Sequence, residues 1–376
     1  MNLFTRVLIV VMIAALVVGI CGQGLAGEAK ARSADDVAKA AVAFLKKSQN
    51  EDGMIGKLGA DVGITSLAVY GVAKSPLAGS GDGKQVIAKG VKYILSQVQD
   101  DGSINNDPKL LSVYRTSLAM MALTAVDPAK YKGVIKKAQD YLKAAQFGEK
   151  NGGFTPQDWQ YGGWGYSDKP ADQGKIQPDL SNLQFALSAL KESGLPADDP
   201  AYKNAIIFLQ RCQNRTESND RPTAGNDGGA FYAPMESKAG PVKLPDGTMV
   251  YKSYGSMTYA LLKGFAFCGL PKDDPRIQAA YTWITQNYSV DETPGMGQMG
   301  LFYYFMTMAN TLNVLNVDAV KTADGRSHDW RKELIQKIGS LQNEDGSWSN
   351  KQDRWMESDP VLVTGYALTV LDFCKK

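Results

Sequence analysis

Two aspartates, Asp179 and Asp359, are the side chains of this sequence best suited to acid–base chemistry. Each precedes an apolar stretch that is typical of a buried helix, and both helix starts are expected at the same end of the molecule. Two carboxylates facing one dry cavity could act as general acid and base, because burial raises the pKa of a carboxyl group. Helix capping explains the same residues, since Pro178 and Pro360 adjoin them at positions typical of helix starts. Both interpretations stay open, and the sequence favours capping.

Arg115 is a basic side chain expected at the same end, next to Tyr114 at the start of another apolar helix. Its guanidinium group could hold a carboxylate or a diphosphate through paired hydrogen bonds. An ion pair with an aspartate of a neighbouring helix would use the same group for a structural purpose. Asp61, Tyr254 and Gln298 are expected at further helix starts around this mouth.

Aromatic side chains are concentrated in the segments expected around the mouth. One long connection contains Trp159 and Trp164, a second contains Tyr232, and a later helix carries the aromatic run 300–305. Such rings could hold a planar or apolar ligand or stabilise a cation, or they could fill the interior of the protein. Core packing is favoured for the helical run, and the loop aromatics stay open. The candidate cavity or ligand-binding residues are Tyr114, Arg115, Trp159, Trp164, Tyr166, Tyr254, Gln298, Tyr303, Tyr304, Arg354 and Trp355.

Charge and histidine content exclude several functions. The 376 residues include 41 basic and 39 acidic ones, for a formal charge of +2, so neither nucleic acid nor an anionic membrane surface is expected as a partner. The single histidine, His328, excludes a zinc or iron site that needs two imidazoles. The sequence therefore predicts no metal site and no cofactor.

Residues 1–26 have the layout of a secretory signal peptide. Arg6 supplies the positive charge, residues 7–21 form an apolar run, and residues 24–26 resemble a cleavage site. A membrane helix needs about 20 apolar residues, so an uncleaved anchor is the weaker alternative. We expect an exported protein, periplasmic or extracellular, with no membrane span after cleavage.

The remaining chain, residues 27–376, contains six copies of one repeat. Each copy has an amphipathic helix, a glycine-containing turn and a second, more apolar helix. The aligned positions at the end of the first helix are Gln49, Val98, Gln146, Gln213, Tyr288 and Gln342. Amphipathic helices belong outside and apolar helices inside, so the alternating pairs can bury their apolar set by closing into a ring. The sequence predicts a single all-α domain, an (α/α)6 barrel, with no convincing β-strand.

Asp-Pro pairs mark predicted helix starts within these repeats. Asp127-Pro128, Asp199-Pro200 and Asp274-Pro275 predict the starts of three outer helices, and Asp359-Pro360 predicts that of the last inner helix. In this pattern the aspartate caps the helix and the proline occupies its first turn.

The repeat is clearest at Gln342, Gly346 and Trp348, where it resembles the Gln-Trp repeat of the squalene and oxidosqualene cyclases. The six-repeat ring is similar to the α/α toroid of terpenoid cyclases, protein prenyltransferase β-subunits and complement thioester domains. Stretches 178–182 and 353–360 are similar to exported bacterial proteins that carry the prenyltransferase and squalene oxidase repeat. This resemblance covers nearly the whole mature chain and implies the toroid fold.

This chain lacks the motifs that the proteins it resembles use for their reactions. Class II cyclases protonate an alkene with an Asp-x-Asp-Asp motif, and no such run occurs here. Prenyltransferases bind zinc through Asp, Cys and His, whereas His328 is expected at an outer helix away from the cavity. The thioester motif Cys-Gly-Glu-Gln is matched only in its first two residues, by Cys268 and Gly269.

We therefore expect an exported toroid that binds a small-molecule or protein ligand at the mouth of its cavity, with no assigned reaction. The alternative is an exported enzyme, either terpenoid-cyclase-like or a carbohydrate-active lyase or hydrolase that uses mouth carboxylates. An apolar cavity would favour a lipid ligand, and a polar groove with two carboxylates at glycosidase spacing would favour a glycan.

Overall fold

The computed structural model describes residues 32–56, 61–107, 110–168 and 177–375. The signal peptide predicted for residues 1–26 lies outside the described residues. Residues 33–376 form one compact unit. No helix in the described ranges is both long and apolar enough to cross a membrane.

Twelve α-helices are present in the described residues, and they alternate between an outer and an inner layer. The outer helices are α1 (Ala34–Lys47), α3 (Gly81–Ser96), α5 (Lys132–Ala144), α7 (Pro200–Arg211), α9 (Pro275–Gln286) and α11 (Trp330–Leu341). The inner helices are α2 (Val62–Lys74), α4 (Ser112–Val126), α6 (Leu180–Glu192), α8 (Gly255–Phe267), α10 (Leu301–Val314) and α12 (Pro360–Phe373). Each inner helix packs against the next, and α12 packs against α2, so the ring is closed. The predicted all-α (α/α)6 barrel is confirmed.

The two layers differ in burial as their sequences predict. Helix α12 is buried at nearly every position from Val361 to Phe373, whereas α11 buries only Trp330, Leu334 and Ile338. The spacing of four between these three residues places them on one face of an amphipathic helix. Apolar side chains on all sides of the inner helices therefore fill the space between the two layers.

The repeated glutamine fastens four of the six repeats to the next one along the ring. The Nε2 atom of Gln146 donates to the carbonyl of Gly162 in its own turn and to that of Ala201 in α7, at 2.9 and 3.0 Å. Gln49 and Gln213 make equivalent pairs of bonds. Gln342 donates to Val37 in α1 at 2.9 Å, which joins the last repeat to the first. Glutamine recurs at this position because its side-chain amide bonds to the backbone of the next outer helix.

Two short hairpins correct the expectation that the chain contains no β-strand. Strand β1 (Pro241–Lys243) pairs with β2 (Met249–Tyr251), and β3 (Val320–Lys321) pairs with β4 (Ser327–His328), both antiparallel. Each pair is joined through an Asp-Gly sequence, at 246–247 and 324–325, whose glycine has a positive φ. Strands of two or three residues are too short for a side-chain alternation to be visible in the sequence.

One predicted helix start is wrong. Helix α5 begins at Lys132, not at the Asp127-Pro128 pair. The Asp127 side chain instead accepts from the backbone N–H of Lys130 at 2.9 Å, so it stabilises a turn before the helix. The other three Asp-Pro pairs do begin helices, and in each the aspartate accepts a backbone hydrogen bond as N-cap.

Candidate functional site

A cavity of about 320 Å³ opens at the end of the ring where the inner helices begin. This volume lies in the range of small-molecule binding sites, about 300–1,000 Å³. The lining is mainly aromatic and aliphatic. Its residues are Asp61, Ile64, Leu111, Tyr114, Tyr166, Ser181, Phe185, Tyr232, Tyr254, Ser256, Met257, Tyr303, Trp355, Met356, Glu357, Leu362 and Tyr366.

The two long connections are bonded to the starts of inner helices and bring tyrosines to the mouth. The carbonyl of Tyr166 accepts from the backbone N–H of Val113 in α4 at 3.0 Å. The carbonyl of Tyr232 accepts from the backbone N–H of Leu180 in α6 at 2.8 Å. Both connections therefore contribute to the cavity wall, as expected for long loops that carry function.

Rings from four inner helices form a continuous aromatic surface inside the cavity. Tyr114 of α4 meets Phe185 of α6 edge to face, with ring centroids 5.4 Å apart. Tyr303 of α10 lies 6.0 Å from Phe185 and 6.0 Å from Tyr366 of α12. Burial raises the pKa of Tyr303 and Tyr366 far above the ordinary value, so both rings are neutral phenols.

Arg115 forms an ion pair with Asp61, so its guanidinium group is not available to an anionic ligand. The Nε and Nη2 atoms of Arg115 both lie 2.6 Å from Oδ2 of Asp61. Nη1 donates to Asn105 and to the carbonyl of Leu110, at 2.7 and 2.8 Å. The structure therefore shows the ion pair that the sequence left as one of two alternatives for Arg115.

Asp179 is buried behind the tyrosines and caps α6. Its Oδ1 accepts from the backbone N–H of Asn182 at 2.9 Å, and its Oδ2 accepts from the Asn182 amide at 2.7 Å. Burial raises its pKa to about 6, although these bonds and one to Tyr232 oppose the shift. Asp359 caps α12 in the same manner, accepting from Val361 and Leu362, and does not line the cavity.

Glu357 is a carboxylate of the cavity wall, in the charged turn next to Trp355 that the sequence predicts at the mouth. It is 1% exposed and lies at the start of α10, whose N-cap Gly300 has no side chain to cap the helix. Oε1 accepts from the backbone N–H of Tyr303 at 2.8 Å, and Oε2 accepts from the Asn350 amide at 2.7 Å. Burial raises the pKa of Glu357 above its ordinary value. Glu357 thus supplies the helix cap from a distant turn.

The cavity rim holds bulky residues in left-handed backbone conformations. Four non-glycine residues of the described chain have a positive φ, and three of them line the cavity: Leu111 at 60°, Trp355 at 64° and Met356 at 63°. Such conformations cost about 1–2 kcal/mol per residue. Met356 and Trp355 are also 58% and 40% exposed. Strained, exposed apolar side chains at one rim are typical of a binding site.

The structure brings some of the predicted site residues together and places others elsewhere. Tyr114, Tyr166, Tyr254, Tyr303 and Trp355 line the cavity. Trp164 and Tyr304 are fully buried and bond to the carbonyls of Leu142 and Ser289 instead. The other candidates that do not line the cavity are Arg115, Trp159, Asp179, Gln298, Arg354 and Asp359.

Several lining residues were not predicted, and their sequence signals differ. Tyr232 lies in a long aromatic connection, and Tyr366 lies in an apolar inner helix where it is indistinguishable from core. Glu357 and Met356 sit beside Trp355, so the turn 353–360 carried a usable signal. Leu111 has no such sequence signal, because its place at the rim depends on its left-handed backbone conformation.

The far end of the ring is filled by polar side chains. The Nζ atom of Lys263, which is 2% exposed, donates to Gln184 Oε1 at 2.5 Å and to Ser188 Oγ at 3.0 Å. The hydroxyl of Tyr70 lies 3.2 Å from both carboxylate oxygens of Glu192. Burial lowers the pKa of Lys263 and raises that of Glu192.

No group of three or more His, Cys, Asp or Glu side chains within the described ranges could hold a metal ion. His328 Nδ1 lies 2.9 Å from Glu333 Oε1, its ring packs on Tyr288, and it does not line the cavity. Cys212, Cys268 and Cys374 are free thiols.

Solved structures similar to this chain include both terpene cyclases and glycoside hydrolases. A variant of the type II terpene cyclase MstE from Scytonema, in complex with its substrate geranylgeranyl dihydroxybenzoate, has a TM-score of 0.57 at 14% identity, over 91% of this chain and 97% of that one. The GH76A alpha-1,6-mannanase from Salegentibacter has a TM-score of 0.56 at 10% identity, over 90% and 99%. A family 76 glycoside hydrolase from a bovine Bacteroides thetaiotaomicron strain has a TM-score of 0.56 at 11% identity, over 90% and 78%.

No protein-family model and no curated protein sequence matches this chain. At these identities the structural likenesses show the fold alone, which is the α/α toroid.

Proposed function

We propose that this protein binds an apolar or aromatic small molecule in its tyrosine-lined cavity and does not transform it. The observation that carries the proposal is the chemistry of the lining: eight of its 17 residues are aromatic, and its two carboxyl groups, Asp61 and Glu357, are held in structural bonds. Aromatic walls with few polar groups are typical of pockets for organic ligands. The strained rim at Leu111, Trp355 and Met356 supports a binding role for the same end of the ring.

The contacts of the carboxyl groups in and behind the cavity wall argue against acid catalysis. Both oxygens of Glu357 and both oxygens of Asp179 accept hydrogen bonds from N–H groups, so both carboxyl groups are engaged in capping contacts within the protein. A class II cyclase uses Asp-x-Asp-Asp, whereas stretch 179–182 reads Asp-Leu-Ser-Asn. Ser181, which does line the cavity, shares a hydrogen bond of 3.0 Å with the Tyr303 hydroxyl.

We place this binding outside the cytoplasm because residues 1–26 have the composition of a signal peptide. Determining the amino-terminal residue of the exported protein tests this part of the proposal. Cleavage after Ala26 would leave Gly27 as that residue.

Filling the cavity tests the binding function directly. Ser256 lines the cavity and has no side-chain hydrogen bond in the described structure, so Ser256→Phe places a ring where the ligand would lie. We expect the neutral apolar dye Nile red to bind the parent protein with enhanced fluorescence and to bind Ser256→Phe at least tenfold more weakly. Ser349→Phe, on an exposed turn outside the cavity, is the matched control and should bind as the parent does. Equal dye binding by parent and Ser256→Phe would refute the proposed site.

The second candidate function is an exported enzyme, either terpenoid-cyclase-like or carbohydrate-active. One observation favours it: burial raises the pKa of Asp179 to about 6, into the range of a catalytic carboxyl group. The enzyme hypothesis predicts that Asp179→Asn lowers turnover of an isoprenoid or a glycan by orders of magnitude while folding is preserved. The binding hypothesis predicts an unchanged affinity for Nile red and no turnover in the parent protein.

A further inference from the structure

Among the described residues, the cavity lining contains eight aromatic rings and no positively charged side chain. Of the 17 lining residues in the described structure, none is Lys, Arg or His, and two are carboxylates. Aromatic faces carry negative partial charge, so a ring-lined cavity attracts a cation and disfavours an anion.

The carboxylates near the cavity are not all neutralised. Asp61 is paired with Arg115, but Glu357 is bonded only to neutral donors, the backbone N–H of Tyr303 and the Asn350 amide. Asp179, behind the tyrosines, is bonded to Asn182 and has no ion pair with any described basic residue. The carboxylates that line the cavity or lie directly behind it therefore outnumber the basic groups bonded to them.

Two rings of the wall already contact cationic side chains of the protein. The guanidinium carbon of Arg354 lies 4.6 Å from the centre of the Trp355 ring, and the Nζ atom of Lys238 lies 4.4 Å from the centre of the Tyr232 ring. Both distances are within the about 6 Å at which a cation is attracted to a ring face. The same two rings line the cavity, so two rings of this lining already lie within attractive distance of a cation.

The polar groups that a primary amine would need are scarce in this cavity. An ammonium group has three donors to satisfy, but the Tyr303 hydroxyl is engaged with Ser181 and Gln184 and the Asp61 carboxylate with Arg115. A quaternary ammonium group has no N–H to satisfy, and its carbon atoms can pack on apolar residues such as Leu111, Met257 and Met356.

We infer that the ligand carries a quaternary ammonium group, which lies in the cavity against the rings of Tyr114, Tyr303 and Trp355. This inference rests on the proposed binding function and assigns the chemical class of the ligand. Burial of a permanent cation among π faces gains attraction without a hydrogen-bond requirement, which a neutral group of the same shape would not gain.

A pair of isosteric probes tests the inference. Choline and its neutral analogue, in which the quaternary nitrogen is replaced by carbon, have the same shape and differ in charge. Titration calorimetry of the full chain should give an affinity for choline about tenfold higher than for the neutral analogue, in line with one or more cation–π contacts. In competition with Nile red, choline should displace the dye at the lower concentration.

Matched variants of an exposed ring separate charge recognition from folding. Trp355→Leu removes the π face, and Trp355→Phe keeps it, with both side chains branched at the same carbon and subject to the same backbone cost. We expect choline affinity to fall about tenfold in Trp355→Leu and by less than half that factor in Trp355→Phe. Affinity for the neutral analogue should be nearly the same in both variants.

The outcomes separate this inference from the proposed function. Equal binding of choline and the neutral analogue, or failure of choline to bind while Nile red still binds, would overturn the quaternary ammonium inference and leave the apolar binding function standing. Failure of Nile red to bind the parent protein would refute the proposed function itself.

Discussion

The two ends of the ring are built by the same six inner helices and use opposite chemistry. At the mouth, Tyr114, Phe185, Tyr303 and Tyr366 meet ring to ring and leave a cavity of about 320 Å³. At the far end, Lys263 of α8 bonds to two side chains of the neighbouring helix α6. Rigid rings hold a space open because they cannot fold into it, whereas a flexible polar side chain fills the space to satisfy its hydrogen bonds.

Helix α6 contains both chemistries on one face. Ser181 and Phe185 line the cavity, while Gln184 and Ser188, about one turn further on, bond to Lys263. Gln184 also donates to the Tyr303 hydroxyl at 3.3 Å, so it forms the boundary between the two ends. The comparison predicts that changes at the far end affect stability and changes at the mouth affect binding.

The largest expected effect is at the far end, in Lys263→Ala. This change leaves a void and removes the donor that Gln184 and Ser188 share, so unfolding free energy should fall by about 2–4 kcal/mol. Lys263→Met refills the void without a buried charge and should lose less than half as much. Denaturant unfolding measures both, with Lys203→Ala on the exposed surface of α7 as the control. Weakened Nile red binding in Lys263→Met would show that the two ends are not independent.

The next effect is the pH dependence contributed by Asp179 at the mouth. Its pKa is raised from 3.8 to about 6, so the folded state holds the proton more tightly than the unfolded state does. The contribution of protonated Asp179 to the unfolding free energy is therefore fully present below about pH 4. It is lost as the pH rises through about 6, which lowers the unfolding free energy by up to about 3 kcal/mol.

The Asp179→Asn variant removes this titration and keeps a residue that caps helices well. The buried Asn182 Oδ1 has no hydrogen-bond partner in the described structure, so it can accept from the new amide once the Asn182 amide is turned. We expect equal unfolding free energies for parent and variant near pH 4 and a variant more stable by about 1–3 kcal/mol at pH 8. A parallel pH dependence in the two proteins would contradict the raised pKa.

The smallest effect tests the strain at the cavity rim. In Met356→Gly the left-handed conformation, at φ 63°, becomes free of steric cost, and little buried surface is lost because Met356 is 58% exposed. Thermal unfolding should show a gain of about 0.5–1 kcal/mol, after the entropy cost of glycine, together with weaker Nile red binding. Asn316→Gly, at φ 52° and outside the cavity, should gain less because asparagine tolerates this conformation. A less stable Met356→Gly would argue against stored strain.

The fold could be predicted because its signals are local and repeated. Gln49, Gln146, Gln213 and Gln342 mark one position in four of the six repeats, and the structure shows that each fastens its turn to the next outer helix. The difference between amphipathic and wholly apolar helices assigned the layers. The hairpins at 241–251 and 320–328 were missed because strands of this length carry no periodic pattern.

The candidate site was predicted in outline, because the helix starts and long connections indicated the correct end of the ring. Individual side chains were not separable, since Tyr303 lines the cavity and its neighbour Tyr304 faces away from it. Adjacent residues on a helix differ in direction by about 100°, and the sequence does not fix the rotation of α10 about its axis.

The sequence by itself determined the number of repeats, the two layers and the residue types at the mouth, because these follow from hydrophobic periodicity and recurring turn residues. Tertiary structure alone decided which charges are neutralised and which rings meet. Arg115 pairs with Asp61, 54 residues away, and Glu357 caps a helix that starts 56 residues earlier in the chain. Both contacts join neighbouring inner helices, so they depend on the packing of one repeat against the next and are not visible in the local sequence.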